Sequence, residues 1–162
     1  MTDADPRSRA RELFLNEANI YGCAEATLVT LQEHYQLPDA GNSSPAMALN
    51  GGIAYSGSVC GAITGAAMAV GRLTERRIAD HAEAKRVARQ LVQKLMAGFV
   101  AQHGSVDCRS LTGFDFTKPG EHKAFIQSGI WRDACMRQIE YAVDFMGRLA
   151  DPAVWNAEVE SP

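Results

Sequence analysis

No two cysteines of this 162-residue chain form a Cys-x-x-Cys pair, although it has four. That absence excludes thioredoxin-type chemistry, c-type haem attachment through Cys-x-x-Cys-His, and the local ligand pairs of zinc ribbons and common ferredoxins. There is no run of lysines or arginines, and the formal net charge is −3 with a pI near 5.8. Neither nucleic acid nor an anionic membrane surface is therefore an expected partner. No Ser-His-Asp set, Walker loop or dinucleotide-binding glycine fingerprint is visible, and no internal repeat. Residues Ala40 to Gly71 carry no charge at all. Gly51-Gly52 and Ser56-Gly57-Ser58 interrupt them, and the apolar run Val59–Val70 is too short to cross ~30 Å of hydrocarbon, so membrane insertion is not expected. The stretch Met1–Leu15 lacks the apolar core of a secretory signal. A cytoplasmic location follows as an expectation, and in that compartment cysteines serve more often as metal ligands or redox groups than as structural disulfides.

What is present is an ordinary apolar fraction of 46%, enough for one domain with a real core. The patterning predicts an all-α, single-domain bundle of five or six helices, residues 1–152, with a loose tail over 153–162. A first helix is expected over Asp5–Ile20, with Leu13, Phe14 and Ala18 on one face. A second starts near Cys23 and turns Ala24, Thr27, Leu28, Leu31 and Tyr35 inward. A small-residue central helix is expected from Gly57 to Val70, where Gly57, Gly61 and Gly65 form a bare stripe that a backbone or cofactor can approach. The next helix, capped by Thr74 and ended by Gly104, carries Val87, Ala88, Leu91, Val92, Leu95, Met96, Phe99 and Val100 at three- and four-residue steps. Asp107 can cap a short turn at Cys108 that Gly113 ends. A final helix is expected over Ile130–Leu149, with Ala134, Ile139, Ala142, Val143 and Met146 inward.

Cys23, Cys60, Cys108 and Cys135 each fall at or near a predicted helix start. Unpaired N–H groups and the helix dipole there favour a thiolate, the form that binds metals and attacks disulfides. Such placement suggests one shared redox or metal site, while buried free cysteines acting as small hydrophobes remain the common alternative. Around them, His103 could tune a ligand or simply end a helix at the surface. His34, His81 and His122 read as exposed. Trp131 and Tyr21 could shield a site or pack the core, and Arg109 could lower the pKa of Cys108.

The segments Gly22-Cys23-Ala24-Glu25-Ala26, Cys60-Gly61-Ala62-Ile63-Thr64-Gly65 and Cys108-Arg109-Ser110-Leu111-Thr112-Gly113, followed by Cys135, resemble the C-GCAxxG-C-C family of redox-active proteins. The Cys-Gly-Ala-x-x-Gly element is matched in full, and the resemblance spans Leu13–Met146. A similar module forms part of split-Soret cytochromes, whose haem-bearing part has no counterpart here. The resemblance implies a helical domain whose four cysteines act together in electron transfer. Cys23, Cys60, Cys108 and Cys135 are then expected to ligate an iron–sulfur cluster, [2Fe–2S] first, with Gly61 and Gly65 beside it. A cycling dithiol–disulfide pair with no metal, or structural zinc on the same four sulfurs, are the alternatives. A redox partner protein is implied. The charge-free surface around Gly51, Gly52 and Ala54 points to a homodimer.

Overall fold

The computed structural model describes residues 5–161. Residues 1–4 of the expected domain and Pro162 of the expected tail lie outside the described residues. Within them the chain is all-α. Its eight helices are α1 Pro6–Phe14, α2 Cys23–His34, α3 Gly61–Arg77, α4 His81–His103, α5 Cys108–Thr112, α6 Glu121–Ser128, α7 Ala134–Gly147 and α8 Pro152–Glu160. The count exceeds the five or six expected because α5, α6 and α8 are short, and short helices carry little periodic signal. In α6 only Phe125 is buried.

Helix α1 stops well before Ile20. The side chain of Asn16 accepts from Ala18 N at 2.8 Å, and this Asx turn replaces helical bonds and leaves Ala18 exposed. Helix α2 is buried all round, with every residue from Ala24 to Gln32 inside. A helix buried on all faces is a core element, so α2 shares the centre of the bundle with α3, whose residues 61–70 are also largely buried and which packs on α2, α4 and α7. Helix α2 packs chiefly on α3, while α7 lies against α1, α2, α3 and α4.

Helix α3 begins at Gly61, after Gly57, and runs past Val70 to Arg77. Gly57 therefore leaves the expected stripe; it takes a left-handed φ of 77° beside Arg109. Gly61 and Gly65 do form a close approach. A Cβ on Gly65 would lie 2.4 Å from the Ala24 carbonyl oxygen, and one on Gly61 would lie 2.9 Å from Ala24 N. Thr74 is buried inside α3, so it caps nothing. The helix persists through its charged end because Arg72 donates to Pro38 O at 2.6 Å, Arg76 to Gln36 O at 3.0 Å and Arg77 to Leu149 O at 2.8 Å.

Asp80 caps α4, its side chain accepting from Glu83 N at 2.8 Å, and Gly104 ends it at a φ of 88°. Val87, Leu91, Leu95 and Phe99 are buried as the pattern requires, but Val100 is 44% exposed. Helix α7 is shorter than Ile130–Leu149 because 3₁₀ turns at Ile130–Arg132 and Arg148–Ala150 flank it. The expected loose tail is instead helix α8. Asp151 caps it by accepting from Ala153 N at 2.7 Å, buried Trp155 lies under the Arg77 guanidinium at 4.8 Å, and Glu158 pairs with Lys94 at 2.8 Å. Among the described residues, no helix is long and apolar enough to cross a membrane.

Candidate four-cysteine site

Each cysteine sits at a helix start, as the sequence predicts. Cys23 opens α2, Cys60 caps α3, Cys108 opens α5 and Cys135 is the second residue of α7. An antiparallel bridge between Val59 and Asp107 joins two of these starts. Cys60 N donates to Val106 O at 2.8 Å and Cys108 N to Ser58 O at 2.7 Å, so two cysteines with 47 residues between them in the chain are pinned side by side. Gly61 brings Cys23 to the same place, since a Cβ on Gly61 would lie 2.4 Å from the Cys23 sulfur. The motif glycine is thus the surface on which the first cysteine rests.

Cys23, Cys108 and Cys135 line a cavity of about 150 Å³ with Phe14, Tyr55, Phe116, Phe125 and Trp131. Cys60 lies behind it, 4% exposed, its thiol donating to Gln138 Oε1 at 3.6 Å. All four are free thiols.

Burial reverses the charge state expected from helix dipoles. It pushes the Cys60 thiol well above its ordinary value, and charges on Cys23, Cys108 and Cys135 would push it further, against one opposing N–H from Ala62. Burial and the Cys23 charge push Cys108 up to about 12. Burial also raises Cys135, with Cys23 and Cys108 adding to it. Cys23 is raised by burial too, although the backbone N–H groups of Gly51, Ala24, Cys23 and Gly61 all favour its anion. All four thiols are thus raised from the ordinary value, which favours their protonated form near neutral pH.

The loop expected only as a charge-free surface closes the site. Gly51, Gly52, Ile53, Ala54 and Tyr55 have φ of 66°, 70°, 67°, 50° and 59°, a continuous left-handed turn. Left-handed residues cost roughly 1–2 kcal/mol each outside glycine and rarely occur in series. Asn50 anchors the turn: its Oδ1 accepts from Ala24 N at 3.0 Å and its Nδ2 donates to buried Glu25 at 3.0 Å. Glu25 also accepts from Gly22 N at 2.9 Å and the Ser43 hydroxyl at 3.2 Å, which caps α2 at Cys23. Gly52 is buried, where a Cβ would lie 2.7 Å from Cys108 Cβ, so the small-residue surface expected there is partly turned inward. The Asn50-Gly51-Gly52 run was the available signal for this turn.

The other sequence candidates divide. Trp131 is buried in the cavity wall, edge-on to Phe14 at 5.7 Å. His122 is exposed as expected and lines the cavity mouth beside Tyr55. Arg109 pairs with Asp115 at 2.9 Å and is not among the charges that move Cys108. His103 stands outside the cavity, packed on Phe99 and Tyr141, with a buried Nε2 that has no partner. Burial and Arg137 hold its imidazole below the ordinary value. His34 is half-buried rather than exposed, its Nε2 3.1 Å from Gly147 O.

Among the described residues, no three His, Cys, Asp or Glu side chains stand ready to hold a metal ion as they are placed. The donor chemistry nonetheless fits a thiophilic group: four sulfurs on four helix starts, three of them open to one cavity. No curated protein and no solved structure matches the chain significantly. A family model described as "Putative redox-active protein" matches residues 21–149, a span that contains all four cysteines with Gly61 and Gly65. This chain belongs to that family, C_GCAxxG_C_C.

Proposed function

We propose that Cys23, Cys60, Cys108 and Cys135 form one electron-transfer site that holds an iron–sulfur cluster, [2Fe–2S] in the first instance. The observation that carries the reading is that four free thiols on four helix starts come together, three lining one cavity and Cys60 pinned beside Cys108 behind it. A protonated thiol is a poor nucleophile, which disfavours fast thiol–disulfide exchange. A soft metal ion deprotonates the thiols as it binds and repays their burial. When bound, the cluster would supply one-electron chemistry at a potential set by its burial and by hydrogen bonds to its sulfurs. The backbone N–H groups of Gly51 and Gly61 beside Cys23 are suited to that second task. The aromatic wall of Phe116, Phe125 and Trp131 would keep water from the sulfurs.

The reading takes a reducing compartment, a redox partner protein and a second copy of the chain as its setting. Exposed Met47, Ile53 and Tyr55 lie on or next to the loop that lines the cavity, and they offer an apolar face to such partners. Protein purified without oxygen should be coloured and carry iron and acid-labile sulfide. Cys60→Ser should abolish both while keeping helix content. A colourless parent with zinc at one equivalent replaces the cluster by a structural Cys₄ site, and a metal-free parent leaves the dithiol chemistry.

A further inference from the structure

Two side-chain amides touch the cysteines, and they differ in freedom. Asn50, near Cys23, is locked, because its oxygen takes Ala24 N and its nitrogen serves Glu25. Gln138, on α7, is 5% exposed, and its Oε1 accepts the thiol of Cys60 at 3.6 Å. It also lines a separate open cleft of about 470 Å³ with Gln102, His103, Arg137 and Tyr141, where water can serve its N–H groups. Exchanging oxygen and nitrogen in an amide is nearly isosteric, so Gln138 can offer Cys60 either an acceptor or a donor.

We propose that Gln138 is a positioning residue that sets the reduction potential of the four-cysteine site through its hydrogen bond to Cys60. The inference rests on the redox reading above. A reduced thiol has an S–H for the amide oxygen; a disulfide sulfur has none. The bond therefore favours the reduced state. With a metal-bound sulfur, the turned amide donates N–H and again favours the more negative, reduced state. Loss of the amide lowers the potential in both cases.

The test uses the parent, Gln138→Leu and Gln138→Glu, purified without oxygen and equilibrated in glutathione buffers, with each cysteine's state read by alkylation and peptide mass spectrometry. Two protein thiols and one glutathione disulfide give one protein disulfide and two glutathiones, so two electrons and two protons end on glutathione. Losing one hydrogen bond should move the Leu variant's equilibrium about fivefold toward the disulfide. The Glu variant keeps an acceptor and should stay at the parent's value or move the other way. If the parent carries iron, the midpoint potential of its visible band is read instead, and both variants should lower it. A Leu variant that matches the parent, or in the metal-free case Leu and Glu variants that shift together as a packing defect would, overturns the role of Gln138 and leaves the redox reading standing. A parent that keeps four reduced cysteines throughout and carries no iron overturns both.

Discussion

Helix α4 and the loop over residues 47–60 are built on opposite plans. Helix α4 repeats its apolar residues at helical spacing, buries Val87, Leu91, Leu95 and Phe99, and has a cap at each end. The loop has no charge and no period, and its turn runs through five left-handed residues held by Asn50, Gly22 and Cys108. The helix is stabilised by area removed from water, so its energy is spread over many side chains. The loop depends on a few close approaches and hydrogen bonds, each of which is indispensable because nothing else supports the strain. Cys23, Cys108 and Cys135 line a cavity with the loop, and the helix supplies mass to the core.

If that contrast holds, changes at the loop's contact points should cost the site more than they cost the core. The largest effect is expected for Gly61→Ala. A methyl at 2.4 Å from the Cys23 sulfur and 2.9 Å from Ala24 N meets backbone that cannot give way. Overpacking of this kind costs about 3 kcal/mol. Loss of iron or of the redox couple should accompany it, while the far-ultraviolet spectrum stays helical. A Gly61→Ala protein with the parent's stability and metal content would break the comparison.

Leu95→Ala should cost a similar amount, about 3 kcal/mol, read from urea midpoints. Its signature is the reverse: the protein loses global stability, but what remains folded keeps a normal site. An Asn50→Ala protein should lie below both, at about 2 kcal/mol, because buried Glu25 and Ala24 N lose a partner. It should show faster alkylation of Cys23, since the loop that covers it is released.

The pH dependence sharpens the same point. The folded thiols have raised pKa values, so the folded state holds protons that the unfolded chain releases near 9. Stability of the reduced, metal-free protein is therefore full below about pH 9 and falls as pH rises toward about 12, the value for Cys108. Urea midpoints at pH 7, 9 and 10.5 should decline in that order, and a rise would mean that the thiols are ionised when folded. The smallest effect is expected for Val100→Ala. Val100 belongs to the apolar pattern of α4 yet faces water, so its truncation should stay within about 0.5 kcal/mol.

The all-helical class, the helix starts at the four cysteines, and the stops at Gly104 and Gly113 were legible in the chain. Each depends on residues a few positions apart: caps, left-handed glycines and three-to-four-residue spacing act within one or two turns. The ends of α1 and α3 were misread because other local or distant bonds compete with spacing. Asn16 closes a turn inside an apparent helix, and the arginines of α3 find carbonyl partners far along the chain. Helix α8 was missed because its stability lies in Trp155 against Arg77 and in Glu158 against Lys94, partners more than sixty residues away.

By itself, then, the sequence determined that four thiols would lie at or near four helix starts, and that Gly61 and Gly65 would present no side chain, because backbone hydrogen bonding and residue size are local properties. Only the tertiary structure decided that Cys23, Cys108 and Cys135 line one cavity with Cys60 behind it, and that burial raises all four thiols. Helix dipoles alone would have favoured thiolates. Whether they prevail depends on how much water the packed neighbours exclude, and the Val59–Asp107 bridge, the α2–α3 contact and the left-handed turn exclude enough of it for burial to win.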